Sequence, residues 1–197
     1  MLSVVRARRL PPRRSQRGAT LIEILVSLLI LMFGLLGLIG VMVQSQRAQL
    51  ESYQRVQALL LVQDMVARIN TNRVAADCYV QAAAMGTGNN AVPDASACGV
   101  GTADQKTRAT QDLTEWKSLL LGSAEVSGGS NVGAMLGARG CITKDAATGV
   151  FQVAVVWQGS QTVGAPPAGI TCGQGSYGAD DAQRRAVSVT ILPSTST

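Results

Sequence analysis

Arg17-Gly18-Ala19-Thr20-Leu21-Ile22-Glu23 opens the stretch that decides this fold, and an apolar run carries it on to Val43. Between Ile24 and Val43 only Ser27 is polar. At ~1.5 Å of rise per residue the run makes a helix of roughly 30 Å, the thickness of a bilayer's hydrocarbon core. Glu23 stands at its mouth, with Gly18 and a row of arginines before it. A carboxylate at that depth is costly unless it is neutralised or reaches the interface.

Outward toward the N-terminus, Arg6, Arg8, Arg9, Arg13, Arg14 and Arg17 all precede Ala19, and no acidic residue does. Residues 19–197 carry 11 Lys and Arg against 12 Asp and Glu, so the formal net charge of +5 belongs to the first 18 residues. Beside a membrane-length segment such a cluster obeys the positive-inside rule, which keeps the N-terminus cytoplasmic and exports the rest; no nucleic-acid partner is expected. Pro11-Pro12 and the arginines oppose a helix there. The apolar run is too long for the core of a secretory signal, and Gln44-Ser45-Gln46-Arg47-Ala48 after it is a poor cleavage site. A cut at Gly18 would leave the run in place.

Outward toward the C-terminus, residues 44–70 hold no proline and no glycine. Ala58, Leu59, Val62, Met65, Val66 and Ile69 recur at helical spacing, with Gln57, Gln63, Asp64 and Arg68 largely opposite. A single helix is expected from about residue 20 to about 70, ended by Asn70-Thr71-Asn72. Its first half is apolar all round. Its second half is amphipathic and must lie against something, most simply its own C-terminal domain. Gly34, Gly37 and Gly40 interrupt the apolar half. They suit close packing of helices through small residues, or a point where the helix can bend or melt.

Beyond the helix, Gly86-Thr87-Gly88-Asn89-Asn90 and Val92-Pro93-Asp94 are turn material. Asp112 to Leu121 reads as a short amphipathic helix, with Thr110 as N-cap and Gly122 as stop. Ser127-Gly128-Gly129-Ser130 reads as loop. Gly140–Thr143, Val150–Gln158 and Ala186–Ile191 read as strands, the first two joined by a turn at Asp145–Gly149. Three antiparallel strands on an amphipathic helix make an α+β domain. With 21 glycines and only 4% aromatic residues, its core is expected to be modest.

The chain has no histidine and 4 cysteines without a CxxC pair, so no catalytic residue, cofactor or metal site is expected. An even number of cysteines in an exported domain fits two disulfides. Three connectivities are open; proximity favours Cys78–Cys98 with Cys141–Cys172. The first closes a loop worth roughly 3 kcal/mol in the chain-entropy model. Asp180-Asp181 and Arg184-Arg185 are expected to be solvated loop charges or structural pairs, and Trp157 a core or strand-end contact. Glu23 is the exception. A cut after Gly18 gives Ala19 an α-ammonium, which a neighbouring subunit's Glu23 could pair with and so fix register.

Gly18-Ala19-Thr20-Leu21-Ile22-Glu23, with its basic leader and apolar run, resembles the class III signal of type IV pilins and pseudopilins. Several later stretches resemble the PilV type of minor pilin. They are Gly34-Leu35-Leu36-Gly37-Leu38, Gln63 to Arg73, Asp112-Leu113-Thr114-Glu115-Trp116-Lys117, Arg139-Gly140-Cys141, Val155-Val156-Trp157-Gln158-Gly159 and Arg184-Arg185-Ala186-Val187. The resemblance implies the type IV pilin fold, a long N-terminal helix on a small antiparallel sheet. Residues 1–18 would be a leader cut by prepilin peptidase, which would methylate Ala19; many pilins have phenylalanine there. Residues 19–43 would be the transmembrane and filament-core helix, 44–76 its amphipathic half and 77–197 a periplasmic domain.

Glu23 would aid recruitment into the filament, and Gly34, Gly37 and Gly40 would give the helix flexibility. The implied partners are prepilin peptidase, other minor pilins, the major pilin, inner-membrane lipid before assembly and a tip adhesin. The subunit would start in the inner membrane, help prime assembly, and end near the pilus tip for adhesion or twitching. Two readings compete: a minor pseudopilin of a type II secretion system, and a membrane-anchored periplasmic enzyme or ligand-binding domain. Trp157-Gln158-Gly159 and the two expected disulfides weigh against the former; Gly18 with Glu23 weighs against the latter.

Overall fold

The computed structural model describes residues 18–131, 133 and 135–193. The expected leader, Gly18 apart, lies outside the described residues. Helix α1 runs Leu21–Thr71. The chain falls into two compact units, one ending at Ser45 and the other beginning at Gln46. In the first unit every described residue is exposed, and the helix passes Gly34, Gly37 and Gly40 without a break.

In the second unit α1 buries Ala58, Val62, Met65 and Ile69. These steps of four, three and four residues hold one line on a helix of 3.6 residues per turn. Leu59, expected on this face, is 40% exposed, because one further residue turns ~100° away from the line. The helix stops at Thr71, whose hydroxyl donates to Arg68 O at 2.8 Å. A 3-10 segment, Arg73–Tyr79, follows and buries Cys78 and Tyr79.

Helix α2 runs Ala103–Leu120, nearly twice the expected span. Thr110 is not its cap. Thr102 is, with a reciprocal capping box: its hydroxyl accepts from Gln105 N (3.3 Å), and the Gln105 side chain accepts from Thr102 N (2.9 Å). The Thr110 hydroxyl instead accepts from Ala95 N at 3.0 Å, tying the preceding loop to the helix. Ala109, Leu113, Trp116 and Leu120 face the core, and Gly122 at φ +85° ends the helix. The Trp116 indole donates to Leu61 O of α1 at 2.8 Å.

The strands are β1 (Met85–Gly86), β2 (Val126–Ser127), β3 (Ser130–Asn131), β4 (Arg139–Lys144), β5 (Phe151–Gln158) and β6 (Arg184–Ile191). An antiparallel sheet in the order β1-β4-β5-β6 is the main body; β2 and β3 make a small hairpin where a loop was expected. Sheet strand β1 was not foreseen; two residues carry no alternation to recognise. One face of β5, through Phe151, Val153, Val155 and Trp157, joins the main core with α1 and α2. The other, through Ala154 and Val156, packs a smaller cluster with Cys172 and Tyr177. Gly140 lets α2 sit on β4: a Cβ there would lie 2.4 Å from Trp116 Cη2.

Disulfides join Cys78 to Cys98 and Cys141 to Cys172. The second ties β4 to the long connection before β6. That connection also decides between the two roles expected for the charged residues, since Asp181 and Arg184 form a buried structural pair. Arg184 opens β6 and is 3% exposed, and Asp181 is 7% exposed. The Asp181 carboxylate accepts from Gly175 N at 2.9 Å and lies 3.2 Å from Arg184 Nε, in ion-pair contact without hydrogen-bond alignment. Arg184 Nη1 donates to Ile170 O (2.6 Å) and Cys172 O (3.1 Å). Burial is tolerable because the two charges pair with each other and Arg184 Nη1 finds two carbonyls. Arg185, also in β6, donates from Nε to Glu51 of α1 at 2.7 Å.

Candidate functional site

The expected site lies in the first unit. Gly18, Ala19 and Thr20 are exposed and non-helical, so the Gly18–Ala19 bond lies in open chain just before the helix. The helix starts as Thr20 O accepts from Glu23 N (3.1 Å) and Ile24 N (3.3 Å). Glu23 thus falls in the first turn, where the unpaired N–H groups and the helix dipole favour a carboxylate by about 0.3–1 kcal/mol. Sequence patterning did not single out this second, local reason for an acid at position 23. The Ser27 hydroxyl donates to Glu23 O at 2.7 Å. The one polar side chain of the run is therefore bonded back to its own helix, as an apolar surrounding demands.

From Leu21 to Val43 the large side chains all face outward, Leu21 at 78% and Val43 at 42% exposure. Nothing lies within 4 Å of a Cβ built on Gly34, Gly37 or Gly40. The three glycines interrupt the apolar surface with flat places, open to whatever surrounds the helix. Among the described residues α1 is the one helix long and apolar enough to cross a membrane. An apolar surface of that extent is stable only in lipid or against other apolar helices.

The second unit holds a dense charged cluster; two of its members, Asp64 and Arg68, were expected on the polar side of α1, whereas Asp112 and Glu115 come from α2. The Arg68 guanidinium bonds Asp64 (2.9 Å) on α1, and Asp112 (2.9 Å) and Glu115 (2.7 Å) on α2. Burial pulls Arg68 toward the neutral form, but Glu115 and Asp64 outweigh it and hold the guanidinium above its ordinary pKa. Tyr79 donates to the buried Asp112 at 2.6 Å; burial first, and that bond second, raise its phenol pKa. Asn72 donates to Tyr79 Oη (3.2 Å) and to Gln105 O (2.8 Å). Each carboxylate here is engaged by a cation, so the cluster clamps α1 to α2 and leaves no free base or nucleophile. Among the described residues no group of three or more His, Cys, Asp or Glu side chains is placed to hold a metal ion.

No curated protein and no solved structure matches the chain. Residues 13–39, which take in Gly18, Ala19, Glu23, Gly34 and Gly37, match the family model described as the prokaryotic N-terminal methylation motif, a type IV pilin-like prepilin signal.

Proposed function

We propose that this chain is a PilV-type minor pilin, a low-abundance subunit that helps prime assembly of a type IV pilus. The observation that carries the reading is the placement of the Gly18–Ala19 bond. It lies exposed and non-helical within the methylation motif, two residues before a helix with Glu23 in its first turn and an apolar surface to Val43. A peptidase needs an extended, accessible bond, and a filament needs an apolar helix afterwards.

Prepilin peptidase removes residues 1–18 and methylates Ala19. Residues 19–43 anchor the subunit in the inner membrane with residues 77–197 on the periplasmic side, and residues 44–76 join the two. The new ammonium at Ala19 then meets Glu23 of a neighbouring pilin, and Gly34, Gly37 and Gly40 let the helix adapt between lipid and filament. Other minor pilins, the major pilin and a tip adhesin complete the assembly. The subunit is structural and catalyses nothing.

Expression with and without prepilin peptidase tests this, read by intact-mass spectrometry. Loss of residues 1–18 and gain of one methyl group are expected only with the peptidase; an intact Met1 in its presence ends the proposal. Glu23→Ala should still be processed yet drop out of sheared filaments. Equal recovery with the parent chain removes the pairing role. Secretion defects without filament defects on deletion would point instead to a type II pseudopilin.

A further inference from the structure

Ser27 is the one polar residue between Ile24 and Val43, and its hydroxyl hydrogen is spent inside the helix, on Glu23 O at 2.7 Å. The oxygen keeps its capacity to accept. The side chain is exposed, and among the described residues nothing donates to it. In apolar surroundings a bare acceptor costs free energy. The bond back to Glu23 O does not repay that cost, because such bonds slightly destabilise a helix. Alanine in the same place would be the better helix former. The hydroxyl therefore has its use outside its own helix.

Glu23 shows what that use is. The two residues are four apart, so their Cβ atoms lie on one face about 5–6 Å from each other. A helical side chain leans toward the preceding turn, and the bond to Glu23 O shows that Ser27 does so. A donor lying between carboxylate and hydroxyl is within reach of both.

We propose that Ser27 Oγ is the second acceptor for the α-ammonium that a neighbouring subunit presents to Glu23. The inference rests on the processing and pairing read above. A methylated α-ammonium keeps two N–H donors, and they diverge from a tetrahedral nitrogen. One carboxylate aligns with one of them, and Ser27 takes the other. Glu23 alone could follow a sliding cation by swinging its long side chain; two acceptors hold the cation at one level. Ser27 thus fixes register, with the neighbour's first residue about level with Leu25 and the two helices offset by ~9 Å.

Two other ammonium groups fit worse. The chain's own Ala19 is eight residues before Ser27. At helical rise that is at least ~12 Å, so its ammonium reaches Glu23 and not the serine. An aminolipid headgroup stays at the membrane surface, whereas Ser27 lies a further turn into the apolar run.

The full chain, expressed with prepilin peptidase in cells that build the pilus, tests this. Immunoblots give the processed chain in sheared filaments as a share of the inner-membrane pool, and intact mass confirms the cut and the methyl group. Ser27→Ala should be processed and held in the membrane like the parent chain, yet its filament share should fall at least about threefold, the loss of one hydrogen bond. Ser27→Thr, which keeps the hydroxyl, should restore most of it. Adding Val26→Ser to Ser27→Ala should not, because the hydroxyl then sits ~100° round the helix. In a Glu23→Gln background Ser27→Ala should cost a smaller factor, since the two acceptors hold one cation. An undiminished share for Ser27→Ala overturns the proposal and leaves the pilin reading standing. So does rescue by Val26→Ser, or the same factor in both backgrounds. A smaller membrane pool with an unchanged share assigns the hydroxyl to lipid and also overturns it. A parent chain that is neither cut nor incorporated overturns both readings.

Discussion

Helix α1 contains two segments with the same backbone and different reasons to exist. From Leu21 to Ser45 no residue is buried; from Gln46 to Thr71 one line of four residues is. The first segment has leucine, isoleucine and valine on all sides, so no face can turn to a core. The second alternates a narrow apolar line with Gln63, Asp64 and Arg68, and it acquires a core through α2 and the sheet. Burial, and not helix content, separates a segment that serves its surroundings from one that serves its own domain.

The largest expected effect tests whether only the second segment depends on the domain. Replacing Cys141 and Cys172 together by alanine releases a 31-residue loop, which removes about 4 kcal/mol of stability. Exchange should then speed up over residues 46–71 and stay slow over residues 21–43 in micelles. Loss of protection in both would join what the comparison separates.

Next, Met65 is fully buried and Met32 is 66% exposed. Met65→Ala should cost about 3 kcal/mol in denaturant unfolding followed by tryptophan fluorescence. Met32→Ala should leave that midpoint within about 0.5 kcal/mol. The glycines sharpen the contrast further. Gly140→Ala puts a methyl against Trp116 and should cost about 2 kcal/mol by the same measurement. Gly37→Ala meets nothing, and should raise helix stability by up to ~1 kcal/mol, read by thermal circular dichroism in micelles.

The smallest effect is a pH dependence confined to the second segment's clamp. Burial and the bond to Asp112 raise the Tyr79 phenol above its ordinary value of 10.0. The folded form therefore favours the protonated phenol. Its contribution is complete below about pH 10 and is lost as pH rises through the raised value. Stability of the domain should fall above about pH 10 more steeply in the parent chain than in Tyr79→Phe. Equal slopes would mean that the phenol carries no part of it.

Much of this architecture was legible because its signals are periodic. The apolar run, the stripe ending at Ile69 and the alternation of Val187, Val189 and Ile191 each repeat along the chain, and periodicity survives without neighbours. The α2 start was legible too, through Thr102 and Gln105, but Thr110 offered a cap nearer the apolar face and its hydroxyl serves Ala95 instead. Strand β1 and the β2–β3 hairpin are too short to repeat anything. The burial of Arg184 depends on carbonyls at Ile170 and Cys172, more than ten residues back, so composition left a solvated and a structural role both open.

The candidate site shows the same division. Gly18, Ala19 and Glu23 declare themselves by order and spacing, because a processing signal is read as a linear string. The helix start at Leu21, close to the expected residue 20, leaves the Gly18–Ala19 bond in open chain and puts Glu23 in the first turn. By itself, then, the amino-acid order determined the long helix, its apolar extent, the motif before it and the α+β character of the remainder. These follow from local propensity and transfer energies, which act residue by residue. Only the tertiary structure decided which cysteines meet and that Arg68 gathers Asp64, Asp112 and Glu115. Those outcomes depend on which distant groups are brought to within a few ångströms, and a sequence carries no distances.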